Sequence, residues 1–110
     1  MNSLGVSGEQ QAKKHLIKQG YKVLETNYKT VLGEIDIIAK KDDFIVFVEV
    51  KTRSNTKFGL PRESVTPYKQ NKIRTVATYY LKTKNMLNFN VRFDVIDILN
   101  GELTHITNCF

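Results

Sequence analysis

GEIDIIAKKDDFIVFVEVKTR, residues 33–53, is the stretch whose reading decides the fold. Two apolar runs, Gly33 to Lys40 and Phe44 to Thr52, flank the polar triplet Lys41-Asp42-Asp43, which is the pattern of a β-hairpin. The second run, with Ile45, Val46, Phe47, Val48 and Val50, is too continuously apolar for a strand with one wetted face. Set into it are Glu49 and Lys51, two residues apart and therefore on the same side of the strand. An acid and an amine in such a run are costly unless something occupies the space between them. Asp36, on the preceding strand, supplies a second carboxylate to the same place. Two carboxylates and a lysine suit a divalent cation beside an activated water, the chemistry of phosphodiester hydrolysis.

A Glu-x-Lys triplet alone carries little weight, because an ion pair on an exposed sheet face explains most of them. The apolar setting and the acid one strand away tip the balance. The expected arrangement has Asp36 and Glu49, with the backbone carbonyl of Val50, holding Mg²⁺ or Mn²⁺ through hard oxygen ligands. Lys51 would orient or help deprotonate the attacking water, or neutralise the charge that builds on the phosphate. Glu34 shares the face of Asp36 by alternation and is an auxiliary, outer carboxylate.

Working outward, Ser7 and Gln10 form a capping box that opens a helix, with Gly20 as its stop and Ala12, Leu16 and Ile17 as its apolar stripe. Glu9 falls on that stripe: it is either a first-turn acid favoured by the helix dipole or a fourth member of the site. Tyr21 to Tyr28 reads as a strand. Residues 53–65 read as a loop long enough to suspect a function. Thr66-Pro67 starts a second helix that runs to about Lys84 and buries Ile73, Val76 or Ala77, Tyr80 and Leu81. Val91 to Leu99 is a strand, Asn100-Gly101 a tight turn, and Leu103 to Thr107 an antiparallel return. A helix joining two strands makes them parallel neighbours, so the expected fold is α/β, a small mixed sheet flanked by helices.

At 110 residues the chain is expected to form a single domain, 1–110. No apolar run reaches the roughly 18 residues of a membrane span, and the N-terminus lacks the layout of a signal peptide, so a cytoplasmic protein is expected. One cysteine, Cys109, excludes an internal disulfide, and isolated His15 and His105 argue against a structural zinc site. The net charge of +6 is concentrated: residues 51–92 carry ten basic groups and one acid. That is the footprint of a phosphate-backbone binder, although a solvated helix face would look the same. The candidate nucleic-acid contacts are Arg53, Lys57, Arg62, Lys69, Gln70, Lys72 and Arg74, the last four at the start of the second helix, where phosphate is readily accepted. Phe58, Tyr68, Tyr79 and Tyr80 could stack on bases, with helical spacing favouring core packing for Tyr80.

Motifs along nearly the whole chain resemble the YraN-like proteins, a bacterial family of uncharacterised function. They are Gly8-Glu9, Ala12, Leu16, Gly20-Tyr21, Asn27, Gly33 to Ala39, Phe47 to Arg53, Phe58-Gly59, Lys69 and Arg92 to Ile96. That family looks like a member of the PD-(D/E)xK nuclease superfamily, close to the archaeal Holliday-junction resolvases. The resemblance implies a restriction-endonuclease-like αβββαβ core. It places the superfamily's acids on Asp36 and Glu49, its lysine on Lys51, its helical acid on Glu9 and a second-helix glutamine on Gln70. Ile35 stands where the motif has proline. The resemblance further implies a metal-dependent endonuclease acting on DNA, branched or structured DNA in repair or recombination among its substrates, and a homodimer. The alternatives are a catalytically inactive nucleic-acid-binding module and a protein-interaction domain.

Overall fold

Local chemistry fixes the start of the first helix. In this computed structural model, which describes residues 7–54 and 59–110 apart from the side chains of Pro61 and Arg62, α1 spans Gly8–Lys18. Gln10 N donates to Ser7 Oγ at 3.2 Å and Ser7 N donates back to Gln10 Oε1 at 3.3 Å, the reciprocal cap its sequence predicts. Ala12 and Leu16 are fully buried, but Ile17 is 54% exposed, so the apolar stripe is narrower than expected.

Three antiparallel strands follow: β1 (Lys22–Thr30), β2 (Gly33–Lys41) and β3 (Phe44–Arg53). Strand β1 runs two residues beyond the predicted Tyr28, with a bulge between Val23 and Glu25 and Asn27 at φ 50°. Among its described residues, the expected 53–65 loop contains a 3₁₀ turn, Pro61–Ser64. The second helix, α2 (Pro67–Thr83), starts where Thr66 Oγ1 accepts from Lys69 N at 3.2 Å, with proline at its first position. Strand β4 (Asn90–Leu99) pairs parallel to β3, and β5 (Glu102–Ile106) returns antiparallel through Asn100 and Gly101, both at positive φ.

The sheet order is β1-β2-β3-β4-β5, a five-stranded mixed sheet whose element sequence contains αβββαβ. Helix α2 covers one face, packing Ile73, Val76, Ala77, Tyr80 and Leu81 on Ile38, Ile45, Phe47 and Val95. Helix α1 covers the other, with Ala12 and Leu16 against Ile37, Val46, Val48, Ile96 and Ile98. Central β3 therefore feeds two cores, which is why its sequence shows no polar alternation. Among the described residues, no helix is long and apolar enough to cross a membrane.

The α1 face also holds a polar chain. Asp94, fully buried, accepts two bonds from Arg92, at 2.9 and 2.8 Å, and one from Asn108 N at 2.9 Å. His105 Nε2 lies 2.8 Å from its Oδ2, and His105 Nδ1 lies 3.0 Å from His15 Nε2 on α1. Arg92 also donates to the Tyr21 hydroxyl. The histidines, read as isolated in sequence, thus link the helix to β4 and β5. Burial works to push the Asp94 carboxyl up, but the bonds from His105, Arg92 and Asn108 hold it below its usual value.

Replacing Asp94 with Ala leaves Arg92 and His105 without their acceptor, at an expected cost of about 3–5 kcal/mol. Urea denaturation should show a lower midpoint with an unchanged slope. Because the folded-state value of Asp94 is depressed, its contribution is present above the normal carboxylate range and disappears as pH falls through the depressed value. The gap between wild type and Asp94→Ala should accordingly close in acid. A gap that is absent at pH 7 refutes this account of the network.

Candidate active site at a fork in the sheet

The β2–β3 ladder runs from Lys41–Phe44 to Ile37–Val48 and then stops. Beyond that point β2 stays with β1, pairing Ile35, Glu34 and Gly33 with Tyr28, Lys29 and Thr30. Strand β3 goes instead with β4, pairing Glu49 with Val95 and so on to Arg53 with Leu99. The sheet divides like a fork, and Asp36 and Glu49 are the first residues past the crotch. The Val50 amide, left without a ladder partner on β2, donates to Asp36 Oδ2 at 2.8 Å. This bond satisfies a backbone donor and fixes the carboxylate in one step.

The open fork forms a cleft of about 360 Å³ with Gly33, Glu34, Asp36 and Glu49 on the strand side and Thr66, Tyr68, Lys69, Lys72 and Ile73 on the α2 side. Glu49 is buried, 6% exposed, yet one of its oxygens meets two amines: Lys69 Nζ at 2.5 Å and Lys51 Nζ at 3.8 Å. Burial pushes the Asp36 carboxyl up to about 6; the Val50 amide opposes this, and the neighbouring Glu49 and Glu9 carboxylates add to it. Burial opposes the charge on Lys69, but its bond to Glu49 and the negative charges of Glu49 and Asp36 together hold it above its usual value. Glu9 thus acts on the site from the first turn of α1. That turn comes close to β3, since a Cβ on Gly8 would collide with Thr52 Oγ1.

The donor set suits a hard divalent cation held by two carboxylates, with water and phosphate completing the shell. Among the described residues no three His, Cys, Asp or Glu side chains cluster to make an all-protein cage. A cation between Asp36 and Glu49 would offset both the burial and the carboxylate repulsion that raise Asp36, and the Lys69 ammonium already pairs with Glu49. Val50 is held beside the site by the bond from its amide to Asp36, and its carbonyl is the expected third oxygen.

Other expected site residues lie in varied settings. Glu34 is exposed at the cleft, and Lys72 stands beside it. Lys69, expected on phosphate, is ion-paired with Glu49 in the site. Arg53 is committed to buried Asp97 at 2.7 Å and to the Gly59 carbonyl at 2.6 Å. Gln70 donates to the Val65 carbonyl at 3.0 Å, closing the first turn of α2. Arg74 lies over Phe93 and Phe110 and donates to the Phe110 carbonyl at 2.7 Å. The structure therefore places Arg53, Gln70 and Arg74 in internal bonds. Lys57 and the Arg62 side chain lie outside the described residues. The sequence reading missed Asp97, although an acid inside the apolar run of β4 was a usable signal.

A family model described as "Uncharacterised protein family UPF0102" matches residues 8–98. A UPF0102 protein of Clostridioides difficile (strain 630) is 51% identical over 108 residues, covering 96% of this chain and 95% of the relative. One from Alkaliphilus metalliredigens is 45% identical over 111 residues, covering 98% and 97%. A third, from Thermodesulfovibrio yellowstonii, is 48% identical over 107 residues, covering 97% and 95%. The matched span runs from the first turn of α1 through β4 and takes in the whole fork: the chain belongs to the uncharacterised protein family UPF0102.

Proposed function

We propose that the chain is a metal-dependent endonuclease that hydrolyses phosphodiester bonds in DNA, in the cytoplasm, with branched or structured DNA among its substrates. The observation that carries this reading is the convergence of Asp36 and Glu49 at the fork with two amines, Lys51 and Lys69, beside them. Mg²⁺ or Mn²⁺ held by Asp36, Glu49 and the Val50 carbonyl would supply a more acidic bound water and charge stabilisation at the phosphate. Asp36 is held in register by the Val50 amide and Glu49 by the β4 ladder, so both carboxylates are preorganised. Lys51, partly open to solvent beside Glu49, would place positive charge where the phosphate gains negative charge. Lys69, now paired with Glu49, would be available to a phosphate oxygen if a cation took over that carboxylate.

The 2.5 Å bond between Lys69 and Glu49 also favours a second reading. In that reading the acid is neutralised internally and the domain is a nucleic-acid-binding module without catalysis. Labelled four-way junction, flap, single-stranded and linear duplex DNA, incubated with Mg²⁺ or Mn²⁺, separates the two. The endonuclease reading expects cleavage by wild type, with losses of 10²-fold or more, on the order of one electrostatic group's contribution, in Glu49→Gln and Lys51→Ala. Binding without cleavage supports the module. Neither binding nor cleavage removes both and leaves a protein-interaction domain as the reading to test.

Asp36 provides a test independent of substrate. Its folded-state value, about 6, exceeds the ordinary 3.8, so its stabilising contribution is full in acid and is lost as pH rises through 6. Without divalent ions, Asp36→Asn should therefore gain stability relative to wild type between pH 4 and 7. Adding Mg²⁺ or Mn²⁺ at pH 7.5 should raise the wild-type melting temperature, by about 2.7 kcal/mol of stability at a hundred times Kd. The rise should shrink at pH 5 and vanish in Asp36→Asn. A rise that survives in Asp36→Asn would place the cation elsewhere.

A further inference from the structure

Next to the carboxylate cleft lies a second groove, about 270 Å³, lined by Leu32, Tyr68, Asn71, Lys72 and Thr75. The two share Tyr68 and Lys72. Tyr68 belongs to the first turn of α2 but not to its buried stripe: it is 73% exposed, where Tyr80 on the same helix is 2%. Opposite it, the β1–β2 turn presents Val31, fully exposed, and Leu32, 40% exposed, at a tip where polar residues are usual. The tip is braced. Thr30 Oγ1 donates to the Gly33 carbonyl at 3.1 Å and accepts from Leu32 N at 3.0 Å. Gly33, at φ +141°, packs so closely on α2 that a Cβ would lie 3.2 Å from Val76 Cγ2. Turn and helix therefore hold Leu32 and Tyr68 at a fixed spacing, and neither relaxes into the core.

One isolated exposed aromatic needs no explanation. An aromatic ring and an aliphatic side chain lining one groove, with ammonium groups beside them, are a different matter. Lys72 Nζ lies over the Tyr68 ring, 5.7 Å from its centroid, and Lys69 lies on the cleft side. Flat apolar surface beside cationic groups is complementary to a base joined to a phosphate. In duplex DNA the faces of the bases are covered by their neighbours, so only an unpaired base can use such a surface.

We propose that Tyr68 and Leu32 form a stacking platform for an unpaired base of single-stranded DNA, whose phosphate lies toward Lys69 and Lys72 in the adjoining cleft of Asp36 and Glu49. This rests on the endonuclease reading and narrows it, because the preferred substrates become single strands and the unpaired arms of branched DNA. The platform sets which DNA is held, and the fork sets what is done to it.

The chain contains no tryptophan, so Tyr68→Trp places a single reporter on the platform. Its emission should be quenched on titration with an oligothymidylate in EDTA, and a blunt duplex of equal strand length should leave it unchanged. By fluorescence anisotropy, Tyr68→Ala should weaken oligothymidylate binding roughly tenfold, the scale of losing one stacked base, with duplex binding unaffected. Tyr68→Phe should retain wild-type affinity, which excludes a hydroxyl-dependent effect. Equal losses for single strand and duplex, or no loss, overturn the platform. If wild type also cleaves duplex DNA in that case, the endonuclease reading stands without it. If wild type neither binds nor cleaves any DNA, the platform falls together with the reading on which it rests.

Discussion

Every feature of the candidate site depends on the end of the β2–β3 ladder at Ile37–Val48. A sheet that continued here would have no room for ionisable side chains between its strands and no cleft beneath α2. Parting the strands exposes a backbone donor, and Asp36 takes it. The same carboxylate thus does structural and chemical duty, and its protonation behaviour shows the strain of both. The Val50 amide stabilises its charge while burial and two neighbouring acids oppose it. A sheet edge that would otherwise be indifferent becomes a place where a positive charge is wanted.

The two faces of the sheet handle charge in opposite ways. On the α1 face Asp94 is saturated by Arg92, His105 and Asn108, and its carboxyl is held low. On the fork side Asp36 has one amide and like charges for company, and its carboxyl is pushed up. The two aspartates share a residue type, yet their burial and the number of donors aimed at each set them apart. One is built to stay as it is; the other is left able to exchange partners, with Lys69 and Lys51 as the present occupants of the adjacent Glu49.

Much of this was legible in the residues because the relevant forces are local. The apolar run of β3, the Thr66-Pro67 start and the Asn100-Gly101 turn are each written within a few positions, and each forms where the pattern puts it. Asp36, Glu49 and Lys51 were readable together because the hairpin that joins them is short. The pairing of Lys69 with Glu49 was not, since it depends on where α2 settles over the sheet. For the same reason Arg53 and Arg74, indistinguishable from surface charges in sequence, find internal partners at Asp97 and Phe110. The His15–His105 contact joins positions 90 residues apart, and no spacing rule spans that distance. Ile17 shows the reverse error, an apolar residue beyond the reach of the core.

The outermost strands carry one more consequence. An edge strand offers unsatisfied amides and carbonyls to any passing chain, and a flat edge invites runaway pairing. Here β1 is broken by the Val23–Glu25 irregularity, turned at Asn27 and studded with Lys22, Glu25 and Lys29, while β5 is only five residues long. Both margins are poor templates for growth. The chain can thus keep a heavily apolar central strand at its heart without that strand's stickiness spreading to the borders of the sheet.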